Sequence, residues 1–413
     1  MSYKKIMSRS VPMCRPPPNS PLPSLIRNNN NTKLKPLRPS IKTEDILKSN
    51  HILTSRGIST SQQFLTPLDQ CRRKIKYLEQ ELLKSQNEIC SLRTKLGVPL
   101  FEKMNVKQFK LISTIGQGHM GPVQLCRGHD NRIFVCKVMQ RKNIVTERQQ
   151  QHIVHEIHIL RQLSHPFIGE LYGTFKTSLN ICLILEPFLA GDMFTFLQFH
   201  DVTEKQVIFY VQCLTMALCH IHGNSIIHRD IKTENIMMTN DGYVKLIDFG
   251  YAKMFYDERT RTFLGTPEYL APEITTYSEY GISVDWWALG IFMYDCIQGN
   301  TPFYNDDRIK IIENIQKKDP IFTEKFTNET KQIIKGLLAK DPINRYNSLD
   351  LESLLYQKIS KRSLLEKMIK APYIPRMRHS TDTSNFDIFE RIDWNISKDP
   401  PYTGHPIDWD YYI

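Results

Sequence analysis

The stretch from His228 to Gly250 constrains this chain more than any other, because it brings four chemically matched side chains close together. Within the reach of one predicted hairpin stand Asp230, Lys232, Asn235 and Asp248. An aspartate can take the proton of a hydroxyl group, and a lysine can neutralise charge on a phosphoryl group in transit. Asparagine and aspartate also offer the hard oxygen ligands that Mg²⁺ prefers. The spacing therefore indicates phosphate chemistry assisted by a divalent cation.

The same stretch reads H-R-D-x-x-x-x-N followed by D-F-G, an order typical of protein kinases, and on these motifs the chain resembles that family. The resemblance implies an α+β, bilobal protein kinase fold, with a small β-rich lobe followed by a large helical lobe. It implies ATP and Mg²⁺ as cofactors. It assigns Asp230 as the base, Lys232 as a phosphate contact, and Asn235 and Asp248 as metal ligands.

A glycine-rich loop precedes these motifs, in the pattern G-x-G-x-x-G-x-V from Gly116 to Val123. A dinucleotide-binding turn carries the same glycines, but it opens a helix. Here the chain continues as a strand and turns into a second predicted strand, Ile133 to Met139, which carries Lys137. In kinases this lysine contacts the ATP phosphates and is held by a helix glutamate, for which Glu156 is the match.

By the same resemblance, a larger set of residues is predicted to surround ATP. Met120 replaces the usual aromatic residue at the loop tip, and Val135 replaces the usual alanine above the adenine. The predicted ATP-binding residues are Gly116, Gln117, Gly118, His119, Met120, Gly121, Pro122, Val123, Val135, Lys137, Leu185, Glu186, Phe188, Asp192 and Phe386.

The segment between D-F-G and A-P-E contains Thr262, at the position where related kinases carry an activating phosphate. A phosphate adds about −1.5 to −2 charges and needs cations to dock on. Arg229, Lys253 and His152 match the cations of the cyclic-nucleotide-dependent kinases. The alternative is that Thr262 is a solvated loop residue. The resemblance also predicts a buried ion pair between Glu273 and Arg345, and a brace from Asp285 to the catalytic loop.

Three carboxylates, Asp192, Glu234 and Asp295, match positions where these kinases pair with arginines that precede the target Ser or Thr. Bidentate bonds between arginine and carboxylate suit that task. We therefore expect protein substrates with arginine N-terminal to the acceptor. The sequence Arg56-Gly57-Ile58-Ser59 places an arginine three residues before a serine, as an autophosphorylation site, a pseudosubstrate or a chance match.

The C-terminal part, residues 361–413, resembles the tail of the same kinases, which makes the chain similar to AGC-type Ser/Thr kinases. Phe386 matches an aromatic residue that closes the nucleotide pocket. Trp409 and Tyr412 resemble a terminal aromatic anchor; the alternative is two exposed aromatic residues at a frayed end. Neither a cyclic-nucleotide sensor nor space for one is found between the N-terminal segments and the predicted kinase domain, residues 109–360, so we expect no activation by cyclic nucleotides.

The N-terminal segments differ from the predicted kinase domain in composition. Residues 1–66 are rich in Pro, Ser and Asn and hold eleven Lys and Arg against two acidic residues, which predicts a disordered basic arm. It has no interleaved aromatic residues, so nucleic acid is not an expected partner. Residues 67–97 show apolar residues in heptads, which favours a coiled-coil homodimer through 68–96. A lone amphipathic helix folded back on the kinase domain is the alternative.

The whole chain of 413 residues is 41% hydrophobic, enough for a sizeable core. Its nine cysteines lack the paired spacing of metal ligands and are predicted to be reduced and mostly buried. Without an apolar run long enough for a membrane span, the chain is expected to be cytoplasmic with access to the nucleus. The sequence thus predicts a Ser/Thr kinase; the alternative is a pseudokinase scaffold dimerised through its N-terminal helix.

Overall fold

The structure is a computed structural model that describes residues 102–118, 120–255, 260–357, 359–387 and 389–390. The predicted basic arm, the heptad helix and the aromatic residues Trp409 and Tyr412 lie outside the described residues. The helices and strands of the described ranges form a small and a large lobe.

The small lobe is built on a six-stranded sheet with the order β1-β5-β6-β4-β3-β2. All pairs are antiparallel except β1 with β5, which run parallel. Strand β6 is buried along almost its whole length, because Ile181 and Leu183 pack into one hydrophobic cluster and Cys182 and Ile184 into another. The strands are β1 (Glu102–Lys103), β2 (Phe109–Gln117), β3 (Pro122–Gly128), β4 (Ile133–Gln140), β5 (Leu171–Lys176) and β6 (Asn180–Leu185).

Helix α1 (Glu147–Gln162) packs against this sheet. Thr146 begins it with a capping box, in which its side chain accepts from the backbone N–H of Gln149. Ile153, Ile157 and Leu160 recur at helical spacing and are buried, and Glu156 lies on the same buried face. The helix thereby points a carboxylate at the sheet.

The large lobe is mostly helical. Its central helix, Ser283–Gln298, is buried on nearly all sides, which fits its almost uninterrupted apolar sequence. The helices after α1 are α2 (Met193–Phe199), α3 (Glu204–Gly223), α4 (Pro272–Thr275), α5 (Ser283–Gln298), α6 (Arg308–Lys317), α7 (Asn328–Leu337), α8 (Ser348–Leu355) and α9 (Lys361–Leu365). This division into a β-rich and a helical lobe confirms the predicted fold class.

Two short antiparallel pairs of strands flank the functional residues. Strands β8 (Ile236–Met238) and β9 (Val244–Leu246) form the predicted hairpin, and β7 (Ile226–Ile227) pairs with β10 (Lys253–Met254). Together they hold the segments on either side of Asp230 and Asp248 in register. The loops that carry chemistry are therefore fixed at both ends by backbone hydrogen bonds.

Glu273 and Arg345 form a bidentate ion pair inside the large lobe, at 2.6 Å (Nη1 to Oε1) and 2.9 Å (Nη2 to Oε2). Their side chains are only 6% and 1% exposed. Arg345 reaches Glu273 across 72 residues of chain, so the pair ties α4 to the loop after α7.

Among the described residues, no helix is long and apolar enough to cross a membrane. The six described cysteines are all free thiols; Cys219 is exposed and the other five are buried. Burial raises the pKa of the Cys126 thiol to about 12, so that thiol stays protonated and behaves as an apolar side chain.

Candidate active site

A cavity of about 370 Å³ lies between the small-lobe sheet and the β8-β9 hairpin. Eleven of the fifteen predicted ATP-binding residues line it: Gly116, Gln117, Gly118, Val123, Val135, Lys137, Leu185, Glu186, Phe188, Asp192 and Phe386. The predicted residues Glu156, Glu234, Asn235 and Asp248 line it as well. Its walls are mainly apolar at one end and carry charges at the other, as a nucleotide requires.

The charged end is centred on Lys137, whose Nζ lies 2.7 Å from Glu156 Oε1 and 3.3 Å from Asp248 Oδ1. Burial alone would lower the pKa of Lys137, but the two carboxylates outweigh it and raise that pKa. Burial also raises the pKa of Glu156, against the opposing charge of Lys137. Lys137 is therefore a fixed cation at the end of the cavity.

Asp248 is held in place by its backbone as well as by Lys137. Its φ is +60°, in the left-handed region that a non-glycine residue rarely adopts. The next residue, Phe249, is 1% exposed and packs against His228 with ring centroids 4.9 Å apart. The charge of Lys137 lowers the pKa of Asp248, which therefore carries its negative charge across the neutral range.

Asp230 lies beside this cavity, in contact with Lys232 and Asn235. Lys232 Nζ is 2.9 Å from Asp230 Oδ2, and Asn235 Nδ2 donates to Asp230 Oδ2 at 2.8 Å. The hydroxyl of Thr266 donates to Asp230 Oδ1 at 3.1 Å and accepts from Lys232 at 3.0 Å. Burial alone would lower the pKa of Lys232, yet the charge of Asp230 raises it. The carboxylate is thus oriented by three side chains.

Asp285 fixes the loop on which Asp230 stands. Its Oδ2 accepts from the backbone N–H of His228 at 2.9 Å, and its Oδ1 accepts from that of Arg229 at 2.9 Å. His222 Nε2 lies 2.8 Å from Oδ2. Burial alone would raise the pKa of Asp285, but these hydrogen bonds, that of His222 above all, lower it. Arg229 is held at φ +69°, so the brace also stabilises an unusual backbone conformation.

The tip of the glycine loop does not line the cavity. Gly118 and Gly121 exchange backbone hydrogen bonds across it, and the carbonyl of Met120 accepts from the N–H of Gln140 at 2.9 Å. A Cβ on Gly121 would lie 2.3 Å from the carbonyl oxygen of Val138, so only glycine fits there. Of the predicted ATP-binding residues, Met120, Gly121 and Pro122 therefore lie away from the cavity wall, and His119 is outside the described residues.

A second cavity, of about 520 Å³, contains Thr262 together with the three predicted cations Arg229, Lys253 and His152. Two further residues of its wall, Arg148 and His155, belong to none of the motifs above. Burial lowers the pKa of His152, and the charge of Arg148 lowers it further. The carbonyl of Thr262 accepts from the hydroxyl of Tyr280 at 2.8 Å, which holds the threonine at the cavity.

The three predicted substrate carboxylates occupy two places. Asp192 and Glu234 line the main cavity, and Asp192 also caps α2 by accepting from the N–H of Thr195 at 2.7 Å. Asp295 lies apart from that cavity, where it accepts from the hydroxyl of Tyr269 at 2.8 Å. Burial raises the pKa of Asp295 to about 6, and the charges of Glu268 and Glu234 act in the same direction. The charge of Glu234, which lines the main cavity, therefore also acts on Asp295.

The residues at the charged end fit Mg²⁺ and the phosphates of ATP. Both N–H donors of the Asn235 amide are bound, to the carbonyl and the carboxylate of Asp230, and no described residue donates to its Oδ1. That oxygen and the Asp248 carboxylate are the hard ligands a magnesium ion prefers. Lys137 has three N–H donors and two acceptors among the described residues, which leaves one donor for a phosphate oxygen.

Several residues of the site were missed by the sequence analysis. Thr266 stands four residues after Thr262, and its signal was the G-T-P-E sequence that follows the predicted phosphosite. Arg148 and His155 carried the signal of helical spacing, because they stand four residues before and three after His152 on α1. The apolar wall residues gave no signal beyond their hydrophobicity: Ile115, Leu160, Met237 and Ile247.

Comparison with known proteins agrees with this geometry. Residues 109–361 match the protein kinase domain, and the chain belongs to that family. It is 33% identical to the cAMP-dependent protein kinase catalytic subunit of Schizosaccharomyces pombe over 314 residues, 73% of this chain and 61% of that protein. It is 32% identical to cAMP-dependent protein kinase type 3 of Saccharomyces cerevisiae over 311 residues, 73% of this chain and 78% of that protein.

A second group of relatives is represented by the RAC serine/threonine-protein kinase of Drosophila melanogaster. It is 33% identical over 296 residues, which are 69% of this chain and 48% of that protein. The resemblance to AGC-type kinases is confirmed by these two groups. The chain matches about half to three fifths of the length of the first relatives in each group.

Proposed function

We propose that this chain is a Ser/Thr protein kinase that transfers the γ-phosphoryl group of ATP to hydroxyl groups near arginines. The observation that carries the proposal is the position of Lys137, which contacts both Glu156 and Asp248 and keeps one donor for the cavity. A chain that only binds partners has no chemical need for this arrangement together with Asp230, Lys232 and Asn235.

In the proposed mechanism each side chain has one task. Asp230 orients the acceptor hydroxyl and takes its proton, while Lys232, which is 2.9 Å from that carboxylate, faces the charge of the transferred group. Lys137 binds a phosphate oxygen. Asn235 Oδ1 and Asp248 would hold Mg²⁺, which would supply positive charge against that of the phosphates. Thr266 keeps Asp230 and Lys232 in a fixed mutual orientation.

The same proposal includes a switch at Thr262. A phosphate on its hydroxyl would enter a cavity walled by Arg148, Arg229 and Lys253, with two histidines beside them. Arg229 precedes Asp230 directly, and its Nε donates to the carbonyl of Tyr251 at 2.7 Å, just after D-F-G. A docked phosphate would therefore stabilise the catalytic loop and the segment after Asp248 at once.

Arginine selection is proposed for the carboxylates. Asp192, Glu234 and Asp295 would accept the guanidinium groups of a bound substrate, with Glu268 as a fourth negative charge. Homodimerisation through residues 68–96 and a cytoplasmic location with access to the nucleus stay predictions from the sequence.

The test is phosphate transfer from labelled ATP to an Arg-Arg-x-Ser peptide by the full-length chain. Asp230→Asn removes the proposed base, and the exposed Asp201→Asn is its matched control. We expect turnover by the unmodified chain and by the control, and a loss of about 10²–10⁴-fold for Asp230→Asn. If the unmodified chain shows no more turnover than Asp230→Asn, the proposed kinase function is wrong and the scaffold alternative remains.

A further inference from the structure

The C-terminal strap, defined as residues 371–387, carries a pattern that the proposed arginine selection would recognise. Arg376 and Arg378 precede Thr381 by five and three residues. An arginine three residues before the acceptor is the same spacing as Arg56 before Ser59 in the N-terminal arm. Unlike the N-terminal arm, the strap has a second arginine before the acceptor, and the strap belongs to the described residues.

Both arginines of the strap are available to a partner. Arg376 and Arg378 are exposed, and neither side chain forms a hydrogen bond or an ion pair with a described residue. Guanidinium groups without a partner on their own molecule can pair with carboxylates of another molecule without first breaking a bond.

The acceptor hydroxyl sits in a turn that few bonds maintain. Thr381 is half-buried, and its Oγ1 lies 3.1 Å from His379 Nδ1. The N–H of Asp382 donates to the carbonyl of His379 at 3.1 Å, and the Asp382 carboxylate accepts from the N–H groups of Arg378 and Ser384. No described residue after α9 belongs to a helix or strand. Opening this turn therefore breaks only a few local bonds.

The strap is tied to the surface of its own molecule on both sides of Thr381. Tyr373 packs on Phe196 with ring centroids 4.9 Å apart. On the other side, Asn385 Nδ2 donates to the carbonyl of Leu189 at 3.0 Å, and Phe386 lines the ATP cavity. To reach its own Asp230, Thr381 would have to pull Phe386 out of the cavity wall. The active site of another molecule has no such restriction.

We propose that Thr381 is phosphorylated by a second copy of this chain, an inference that rests on the proposed kinase function. The Oγ1 of Thr381 forms a bond to the γ-phosphorus of ATP, and the bond from that phosphorus to the bridging oxygen of ADP breaks. The hydroxyl proton passes to Asp230 of the other copy and then to solvent. The products are ADP and phosphothreonine, and no further reactant is needed.

The experiment mixes catalytic amounts of the phosphatase-treated full-length chain with an excess of tagged full-length Asp230→Asn chain, MgATP being present. Mass spectrometry of the recovered tagged chain uses fragment ions that separate Thr381 from Ser380, Thr383 and Ser384. We expect phosphate on Thr381 of the tagged chain, at an initial rate proportional to the concentration of each copy.

Substitutions in the tagged chain test whether the arginines select the site. Arg378→Ala should lower the initial rate at Thr381 by about tenfold or more, the loss of one charge-assisted hydrogen-bonded pair. Lys370→Ala, which removes another exposed cation of the same region, should leave the rate unchanged. In the tagged chain, Thr381→Ala should abolish the phosphate that the fragment ions assign to position 381. Thr383→Ala should leave that phosphate in place.

The Arg-Arg-x-Ser peptide, assayed with the same preparation, separates the two levels of the proposal. Phosphorylated peptide without phosphate on Thr381 would overturn the inference and leave the kinase function standing. A preparation that phosphorylates neither would overturn the kinase function itself. Equal rates for Arg378→Ala and Lys370→Ala would overturn the role of the arginine.

Discussion

Two ion pairs of similar chemistry, one in each lobe, differ in how many of their hydrogen-bond donors are already used. Arg345 has five N–H donors and makes five hydrogen bonds: two to Glu273 and one each to the carbonyls of Ser283, Ala339 and Lys340. Lys137 has three donors and makes two bonds to described residues. A fully bonded cation holds structure together, whereas a partly bonded cation at a cavity can bind a ligand.

Exposure separates the two pairs in the same way. The side chains of Arg345 and Glu273 are 1% and 6% exposed, whereas that of Lys137 is 29% exposed. Removal of one partner from a fully buried pair leaves the other charge without water or a counter-ion. Water in the ATP cavity can reach the pair formed by Lys137. We therefore expect that loss of Arg345 mainly lowers the stability of the chain, whereas loss of Lys137 mainly lowers its activity.

The largest expected effect is on stability. Arg345→Ala should lower the free energy of unfolding by about 3–5 kcal/mol, because it strands the buried carboxylate of Glu273. Urea denaturation measures the change. Arg362→Ala breaks the exposed pair with Glu366, whose side chains are 84% and 46% exposed, and should change it by less than about 1 kcal/mol. An equal decrease in the free energy of unfolding for the two variants would show that the buried pair of Arg345 stabilises the chain no more than an exposed pair does.

Next comes activity. Lys137→Met should lower kcat/KM for peptide phosphorylation by about 10²–10³-fold, because a fixed positive charge at the phosphates is lost. Its urea midpoint should shift less than that of Arg345→Ala. Lys110→Met, an exposed position on β2, serves as the control and should retain full activity. A stability loss in Lys137→Met as large as in Arg345→Ala would contradict the proposed division of roles.

A third prediction concerns pH and the burial of Asp295. Its pKa is raised to about 6 from 3.8, so much of it is protonated at pH 5 and ionised at pH 7. Arginine binding needs the ionised form, and the peptide KM should therefore fall on the order of tenfold from pH 5 to pH 7. Asp295→Asn should flatten this dependence. A parallel pH profile for Asp295→Asn would show that another group titrates.

The same raised pKa has an effect on stability with a defined sign. The folded chain binds the proton of Asp295 more tightly than the unfolded chain does. Its contribution to the free energy of unfolding is therefore complete below pH 3.8 and is lost as pH rises to about 6. Asp295→Asn should remove that component from the pH dependence of urea denaturation.

The smallest expected effect is that of a phosphate on Thr381. It would place about −1.5 to −2 charges beside Asp382, which holds the turn that precedes Phe386 in the cavity wall. Repulsion of about 1 kcal/mol, as for two charges 4 Å apart in water, would raise the KM for ATP roughly fivefold. The measurement compares phosphorylated and phosphatase-treated chain. If phosphatase treatment changes the KM for ATP of the Thr381→Ala chain by the same factor, a phosphate on Thr381 is not the cause of the change.

Local elements were well predicted from the sequence. The strand expected at Ile133 to Met139 is found at Ile133–Gln140, because a short, mostly apolar run that follows a turn is a local pattern. The helix expected around Glu156 is found at Glu147–Gln162, where it begins at a Thr146 cap. Pairing between distant segments was not predicted. The parallel pairing of β1 with β5 joins residues about 70 positions apart, and no local pattern encodes it.

In the candidate site, too, contacts between distant segments were not predicted from the sequence. The sequence named most residues of the main cavity through motifs, but it included Met120, Gly121 and Pro122, which fold back against the end of β4. The G-T-P-E sequence marks Thr266, but its contact with Asp230 depends on how the segment between D-F-G and A-P-E folds back, which no motif encodes. Motifs identify side chains that carry chemistry, whereas neighbours that only orient them need not follow a fixed pattern.

The sequence by itself determined the fold class and the types of side chain that the chemistry requires, because hydrophobic periodicity and motif spacing are local properties of the chain. Only the tertiary structure decided what each charge does. Lys137 and Asp248 stand 111 residues apart, and Arg345 and Glu273 stand 72 apart. Burial, the number of occupied donors and the resulting pKa values exist only after such segments meet. They make Arg345 a brace with all its donors bonded, and they leave Lys137 with an unused donor at the cavity.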